Sequence, residues 1–179
     1  KVQALLQTAP IADCKANWSN ATAMTEIVGQ KFQNGHVDAA FKLIRDRWGA
    51  MLAGGADTLF EGFYHEKYPS VTGVNPAEKV DFISYCHGWT GGATMLLMSE
   101  VAGIKPLVPG FERFSITPKP GDLTEFTAVV PTPYGEIAVR LADNDFTVVV
   151  PDGTTALFEY EGIEIEWTSG THKAKICNQ

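Results

Sequence analysis

The chain has 179 residues, of which 45% are hydrophobic, and its formal net charge at pH 7 is -7. This composition is typical of a globular protein with a sizeable core and about one domain or a domain and a half. The negative charge, with no basic stripe to offset it, argues against nucleic acid and anionic membrane surfaces as partners. The sequence also holds no run of about 18 apolar residues that could span a membrane.

The N-terminal region bears on the source of the chain. It opens with KVQALLQTAP, which looks like the tail of a helix and shows no signal-peptide pattern, so we expect a piece of a longer protein. Two N-x-[ST] sequons make Asn17 and Asn20 candidates for glycosylation and favour a secreted, extracellular location. The three cysteines, Cys14, Cys86 and Cys177, are too far apart for a CxxC motif. A bridge between the first two stays open, and at least one thiol must be unpaired within the chain.

Helices and long loops are expected over residues 1–105. Apolar residues at spacings of three and four predict helices over residues 19–34, 37–53 and 88–102. The clearest apolar stripe belongs to the second helix and consists of Val37, Phe41, Ile44, Trp48 and Leu52. Gly91 and Gly92 lower the helical propensity near the start of the third helix, which predicts a close backbone approach there. Three helices would leave apolar faces uncovered, so this part requires further helices to close its core.

Short β segments replace the helices over residues 106–179. Runs such as FTVVV and TALFEYE carry the β-branched and aromatic residues that strands prefer. The predicted strands cover residues 113–117, 124–130, 135–142, 145–150, 154–160, 163–168 and 171–176. Strands in succession at this spacing predict a β-sandwich. The predicted fold class is therefore α+β in two parts, with the boundary near residues 104–112.

Four residues stand out as candidates for chemistry. Glu61 lies among large apolar residues in FEGFY, where an ionised carboxylate is costly unless it is solvated, paired or catalytic. His87 precedes a predicted helix, where it could bind a polar ligand or cap its own helix. Trp48 and Trp89 could stack on a sugar ring, although Trp48 shares the apolar stripe of its helix, which favours core packing. Residue spacing alone leaves each of these alternatives open.

Several common classes of site have no matching motif. HExxH, the P-loop, GxGxxG after a strand and the GxSxG elbow are all missing from the sequence. Glu61, His65 and His87 could be imagined as metal ligands, but their pattern matches no metal motif. We therefore expect neither a metal nor a cofactor.

The order of several unusual blocks resembles a known family. The blocks are RWGAMLAGGADTLFEGF, then SYCHGWTGGATMLLMSEVAGIKPLVPGFERFSITPKPGDL, then VVPTPYGEIAVR, which together run from Arg47 to Arg140. They resemble the C-terminal part of glycoside hydrolase family 78, the α-L-rhamnosidases. The resemblance implies that residues 1–105 are the last part of an (α/α)6 barrel of six helical hairpins. It also implies that residues 106–179 form an antiparallel C-terminal β-sandwich.

The resemblance further implies roles for individual residues. Glu61 falls on the general base of an inverting hydrolysis, and His87 falls on the histidine that contacts the sugar. The aromatic residues implied to line the sugar pocket are Trp48, Phe60 and Trp89. The general acid has no counterpart in residues 1–60, so the N-terminal remainder of the same protein is the implied partner, and the chain alone is expected to be inactive. The implied substrate is a terminal α-L-rhamnoside, although Asp57 and Phe60 depart from the residues commonest in the family.

Two other classes of function remain open at this stage. The sandwich could be a non-catalytic carbohydrate-binding module if its strand aromatics were exposed on one face. These aromatics are Phe146, Phe158, Tyr160 and Trp167, and they could equally be core residues. A lyase or another glycosidase on the same helical scaffold is the other alternative. A lyase would abstract a proton from a uronate and give an unsaturated product, whereas hydrolysis gives a free sugar.

Overall fold

A computed structural model describes residues 21–53, 57–59, 61, 84 and 86–176 of the chain. The chain divides into two compact units, Lys1–Leu96 and Leu97–Gln179. Within the described residues, no helix is long and apolar enough to cross a membrane. The predictions for Asn17, Asn20, Phe60 and Cys14 lie outside the described residues.

The helices of the first unit lie where the apolar spacing predicts them. Helix α1 spans Ala21–Gln33, and α2 spans Val37–Ile44. A π-helical turn at Arg45–Gly49 then leads into α3, Ala50–Ala53. The third predicted helix begins as a 3-10 turn at Gly88–Gly91 and continues as α4, Gly92–Leu96. The apolar stripes of α1 and α2 meet in the core, where the rings of Phe32 and Phe41 pack edge to face with centroids 5.8 Å apart.

A close approach between α1 and α4 explains one of the two glycines at the start of α4. A Cβ atom added at Gly92 would overlap the buried side chain of Thr25 in α1. Gly29 of α1 likewise has Leu96 3.5 Å from the position that its Cβ would take. The predicted backbone approach is thus confirmed at Gly92. It is wrong for Gly91, where an added Cβ would meet no heavy atom of the described structure within 4 Å.

The second unit contains eight strands in two four-stranded sheets within the described residues. They are β1 (Ile104–Pro106), β2 (Arg113–Ile116), β3 (Glu125–Thr132), β4 (Gly135–Ala142), β5 (Asp145–Val150), β6 (Thr155–Tyr160), β7 (Ile163–Trp167) and β8 (Gly170–Lys175). One sheet has the order β1-β2-β6-β7 and the other the order β3-β4-β5-β8. The α+β class and the C-terminal β-sandwich are therefore confirmed.

Two features of the sandwich differ from the sequence prediction. Strand β1, with the sequence IKP, was not predicted, because a proline and turn residues next to it are unfavourable for a strand. The sheets are antiparallel as predicted except for one pair, because β2 and β6 run parallel. This exception follows from the topology: the chain leaves the first sheet after β2, forms β3, β4 and β5 in the other sheet, and returns as β6.

Aromatic side chains fill the space between the two sheets. Phe146 of β5 and Phe158 of β6 face each other across the sandwich with ring centroids 6.3 Å apart. Phe158 also stacks on Trp167 of β7 at 4.5 Å, and Tyr160 packs against the same cluster. Because the first three are at most 7% exposed, these residues are core and do not form an open sugar-binding face.

The second unit begins at Leu97, before its first strand β1. The π-helical turn Leu97–Val101 carries Glu100, whose buried carboxylate lies 2.7 Å from Lys105 Nζ and 3.1 Å from Lys119 Nζ. The Gly103 carbonyl accepts a hydrogen bond from Thr117, and an added Cβ at Gly103 would overlap that residue's backbone. These contacts join residues 97–103 to the first sheet.

Candidate functional site

Two short segments of the first unit are joined in an antiparallel sense and place the candidate acid. The Glu61 N–H donates to the Ser84 carbonyl at 2.9 Å, and the His87 N–H donates to the Leu59 carbonyl at 2.9 Å. The Ser84 N–H in turn donates to Glu61 Oε2 at 3.0 Å. Both the backbone and the side chain of Glu61 are therefore held by the segment that leads to His87.

The carboxylate of Glu61 and the imidazole of His87 lie side by side. His87 Nδ1 is 3.9 Å from Glu61 Oε2, and each side chain is 31% exposed. The pair is thus partly desolvated but open enough for a ligand to reach it. Sequence reasoning singled out both residues, and the structure brings them together.

Trp89 contacts both members of this pair. Its indole N–H donates to the Glu61 carbonyl oxygen at 2.7 Å. Its ring lies against the His87 ring, with centroids 4.2 Å apart and planes inclined by 38°. Trp89 is nevertheless 46% exposed, so part of its ring remains available to a ligand.

Trp48 lies behind this cluster and not on its surface. It is 3% exposed, and its indole N–H donates to the carbonyl oxygen of the fully buried Thr90 at 2.8 Å. The π-helical turn Arg45–Gly49 carries it, and such turns recur at functional sites. The resemblance implied that Trp48 lines a sugar pocket, whereas its apolar stripe favoured core packing. Its ring is packed in the core, where it supports the turn that follows His87.

Ser84 is the site residue that sequence reasoning did not single out. Its hydroxyl donates to the Cys86 carbonyl at 2.8 Å and accepts from the Cys86 N–H at 3.3 Å. These two bonds tie Cys86, the neighbour of His87, to Ser84. The signal in the sequence was a serine just before His87, since serine hydroxyls commonly bond to the backbone two residues on. Cys86 carries a free, exposed thiol.

The arrangement can bind and polarise a polar ligand. A carboxylate with an open oxygen can accept a proton from water or from a hydroxyl group, and an adjacent imidazole can hydrogen bond to a polyol. Within the described part of the chain, no group of three or more His, Cys, Asp or Glu side chains could hold a metal ion. The polar and aromatic side chains that the structure describes at this site are Glu61, His87 and Trp89.

A family comparison matches part of the second unit. Residues 103–173 match the family described as "Bacterial alpha-L-rhamnosidase C-terminal domain". The matched residues lie in the second unit and do not include Glu61 or His87. The family match therefore covers the sandwich and does not extend to the candidate site.

Individual relatives extend the match across the site. The chain is 30% identical over 156 residues to an α-L-rhamnosidase of Formosa agariphila, and that match covers 82% of this chain. A stretch of that extent includes both Glu61 and His87. The fold is similar to the crystal structure of the Aspergillus terreus α-L-rhamnosidase, with a TM-score of 0.72 and 23% identity over 86% of this chain. It is also similar to the Streptomyces avermitilis α-L-rhamnosidase complexed with L-rhamnose, with a TM-score of 0.70 and 22% identity over 84% of this chain. The resemblance to the α-L-rhamnosidases of glycoside hydrolase family 78 is therefore confirmed, over the C-terminal portion of those proteins.

The chain corresponds to only a part of these relatives. It spans 16% of the Formosa protein, 19% of the Aspergillus chain and 17% of the Streptomyces chain. Most of each relative therefore has no counterpart in these 179 residues.

Proposed function

We propose that this chain is the C-terminal portion of an inverting glycoside hydrolase that releases terminal L-rhamnose, with Glu61 as its general base. The supporting observation is the open carboxylate of Glu61, fixed by Ser84 through Oε2 and placed 3.9 Å from His87. The match to α-L-rhamnosidases across this segment supports the choice of substrate. The first unit is then the last part of an (α/α)6 barrel, and the N-terminal remainder of the protein supplies the rest of it.

The proposed reaction divides the work between two carboxyl groups. Glu61 takes a proton from a water molecule, whose oxygen forms a bond to the anomeric carbon on the face opposite the leaving group. The glycosidic C–O bond breaks, and its electron pair stays on the leaving oxygen, which receives a proton from a general acid in the N-terminal remainder. Inverting enzymes hold these two carboxyl groups roughly 6.5–9.5 Å apart to leave room for the water. The product is free L-rhamnose of inverted anomeric configuration.

Neighbouring residues would hold the sugar in place for this step. The Nδ1 atom of His87 faces Glu61, so Nε2 is the ring nitrogen that we assign to a sugar hydroxyl. The exposed part of Trp89 and the ring of Phe60, which lies outside the described residues, are the aromatic surfaces assigned to the sugar. Trp48, because it is buried, is assigned a supporting role only. Binding energy from these contacts orients the anomeric carbon towards the activated water.

The decisive experiment compares the full-length parent protein with its Glu61→Gln variant on an aryl α-L-rhamnoside. We expect kcat to fall about a thousandfold or more with KM little changed, because the base acts mainly in the transition state. Asp57→Asn is the matched control, since this exposed carboxylate precedes Glu61 by four positions and should leave kcat unchanged. NMR of the first-formed sugar anomer tests the inversion.

Other outcomes would identify a different function. An unsaturated uronate product would indicate a lyase, and sugar binding without any reaction would indicate a binding module. An unchanged kcat in Glu61→Gln would contradict the assignment of the base. The isolated 179-residue chain should show no hydrolysis, since the general acid lies elsewhere. A secreted location and glycosylation at Asn17 and Asn20 also belong to this proposal, and a mass decrease on deglycosylation of the native protein would support them.

A further inference from the structure

We propose that Trp89 is a positioning residue that fixes Glu61 and His87 relative to each other, and that Oε1 of Glu61 is the oxygen that accepts the proton from water. This role rests on the function proposed above. It assigns to Trp89 a task beyond that of a sugar-stacking surface.

The two contacts of Trp89 are of different kinds and reach different partners. The indole N–H holds the backbone carbonyl of Glu61 at 2.7 Å, which is short for a nitrogen donor. The indole ring packs against the His87 imidazole in a tilted arrangement, with ring centroids 4.2 Å apart. Because one side chain makes both contacts, a displacement of Trp89 would disturb the placement of Glu61 and of His87.

Trp89 is itself held from the interior of the first unit. It lies in the 3-10 turn Gly88–Gly91, and the next residue, Thr90, is fully buried. The Thr90 carbonyl accepts the indole N–H of Trp48, and the Thr90 N–H donates to the His87 carbonyl at 3.1 Å. The buried Trp48 therefore holds the turn that carries Trp89, and the half-exposed Trp89 in turn holds Glu61.

The two oxygens of the Glu61 carboxylate are unequal in this arrangement. Oε2 accepts the Ser84 N–H at 3.0 Å and is the oxygen nearer to His87. Oε1 has no hydrogen-bond partner among the described residues. Protonation at Oε1 would leave the bond to Ser84 intact, so the carboxylate keeps its orientation when it takes up the proton. This is the geometry that a positioned general base requires.

The experiment separates the N–H donor of Trp89 from its ring. In the full-length parent protein, Trp89 is changed to Phe, which keeps an aromatic face but loses the donor. A second form replaces the indole by the isosteric benzothiophene ring, in which sulfur takes the place of the N–H group. A third, Trp89→Leu, removes the ring. The readouts are kcat and KM for an aryl α-L-rhamnoside, the affinity for free L-rhamnose, and the melting temperature.

If Trp89 positions Glu61, the benzothiophene form loses about 10- to 100-fold in kcat, because small misplacements of a catalytic group have effects of this size. Its KM and its L-rhamnose affinity stay within about twofold of the wild-type values, and Trp89→Phe behaves in the same way. Trp89→Leu loses kcat to at least the same extent, because His87 is then released as well.

Three results would overturn the inference and can be told apart. A benzothiophene form with wild-type kcat would show that the N–H bond does not matter to catalysis, while the proposed function stands. A rise in KM for Trp89→Leu alone would make the ring a sugar platform only. A parent protein that neither hydrolyses the rhamnoside nor binds L-rhamnose would refute the proposed function itself, and the positioning role with it.

Discussion

Substitution of Gly92 by alanine tests the close packing of α1 against α4, and Gly91→Ala provides a matched control. The new Cβ would lie 2.7 Å from Cβ of Thr25 and closer still to its Oγ1. Thr25 is 8% exposed and lies within a helix, so it cannot swing aside without moving α1. Overpacking of this kind costs about 1–3 kcal/mol. Alanine recovers about 0.5–1 kcal/mol through its helical preference, so a net loss is expected.

The control variant shares the gain in helical preference from glycine to alanine, so the difference between the two variants reports the overlap with Thr25. Gly91 adjoins Gly92 in the same helical segment, and an added Cβ there meets open space in the described structure. Gly91→Ala should therefore be neutral or slightly stabilising. Chemical denaturation followed by circular dichroism at 222 nm gives both midpoints. Thr25→Ala should rescue Gly92→Ala only in part, because the Cβ of residue 25 remains. Equal midpoints for the two alanine variants would refute the close approach.

Two further predictions concern charged pairs of the second unit. Glu100→Gln should destabilise the sandwich by about 1–3 kcal/mol, measured by denaturant unfolding, because Lys105 and Lys119 lose the buried negative charge with which they pair. An unchanged midpoint would mean that these pairs contribute nothing. On the surface, a hydrogen bond and the charge of Lys175 lower the pKa of Asp145 below its ordinary value. The ionised form therefore favours the folded state at pH values above the ordinary pKa, and this contribution is lost as the pH falls through the lowered pKa. An NMR titration of Lys175→Met should show the Asp145 pKa return towards its ordinary value, and an unshifted titration would contradict the pairing.

Local pattern was enough to predict most of the elements, and the reason is physical. The alternation in DFTVVV places Phe146 and Val148 on one face, and the structure buries both. The stripe of residues 37–53 predicts the covered side correctly at Phe41 and Trp48, but it is wrong at Leu52, which is 61% exposed. Burial of a periodic apolar face is decided within a few residues of chain, so the sequence displays it directly.

Contacts between distant segments could not be predicted in this way. The parallel pairing of β2 with β6 depends on where the chain returns after three strands of the other sheet. The hold of Ser84 on Glu61 depends on two loops that meet only in the folded unit. The resemblance implied that Trp48 lines a sugar pocket, whereas its own apolar stripe already favoured the core position that it occupies.

The parallel pairing of β2 with β6 has a consequence for the order in which the sandwich can form during synthesis. Strands β3, β4 and β5 are joined by short turns and pair with their sequence neighbours, so their sheet can assemble locally. The β1–β2 hairpin emerges earlier but must wait for β6 before its second edge is covered. Long-range pairing of this kind slows folding, and an open strand edge invites pairing with another chain. A chain released before residue 155 would therefore present β2 as an unpaired edge, which makes premature termination in this region a route to aggregation.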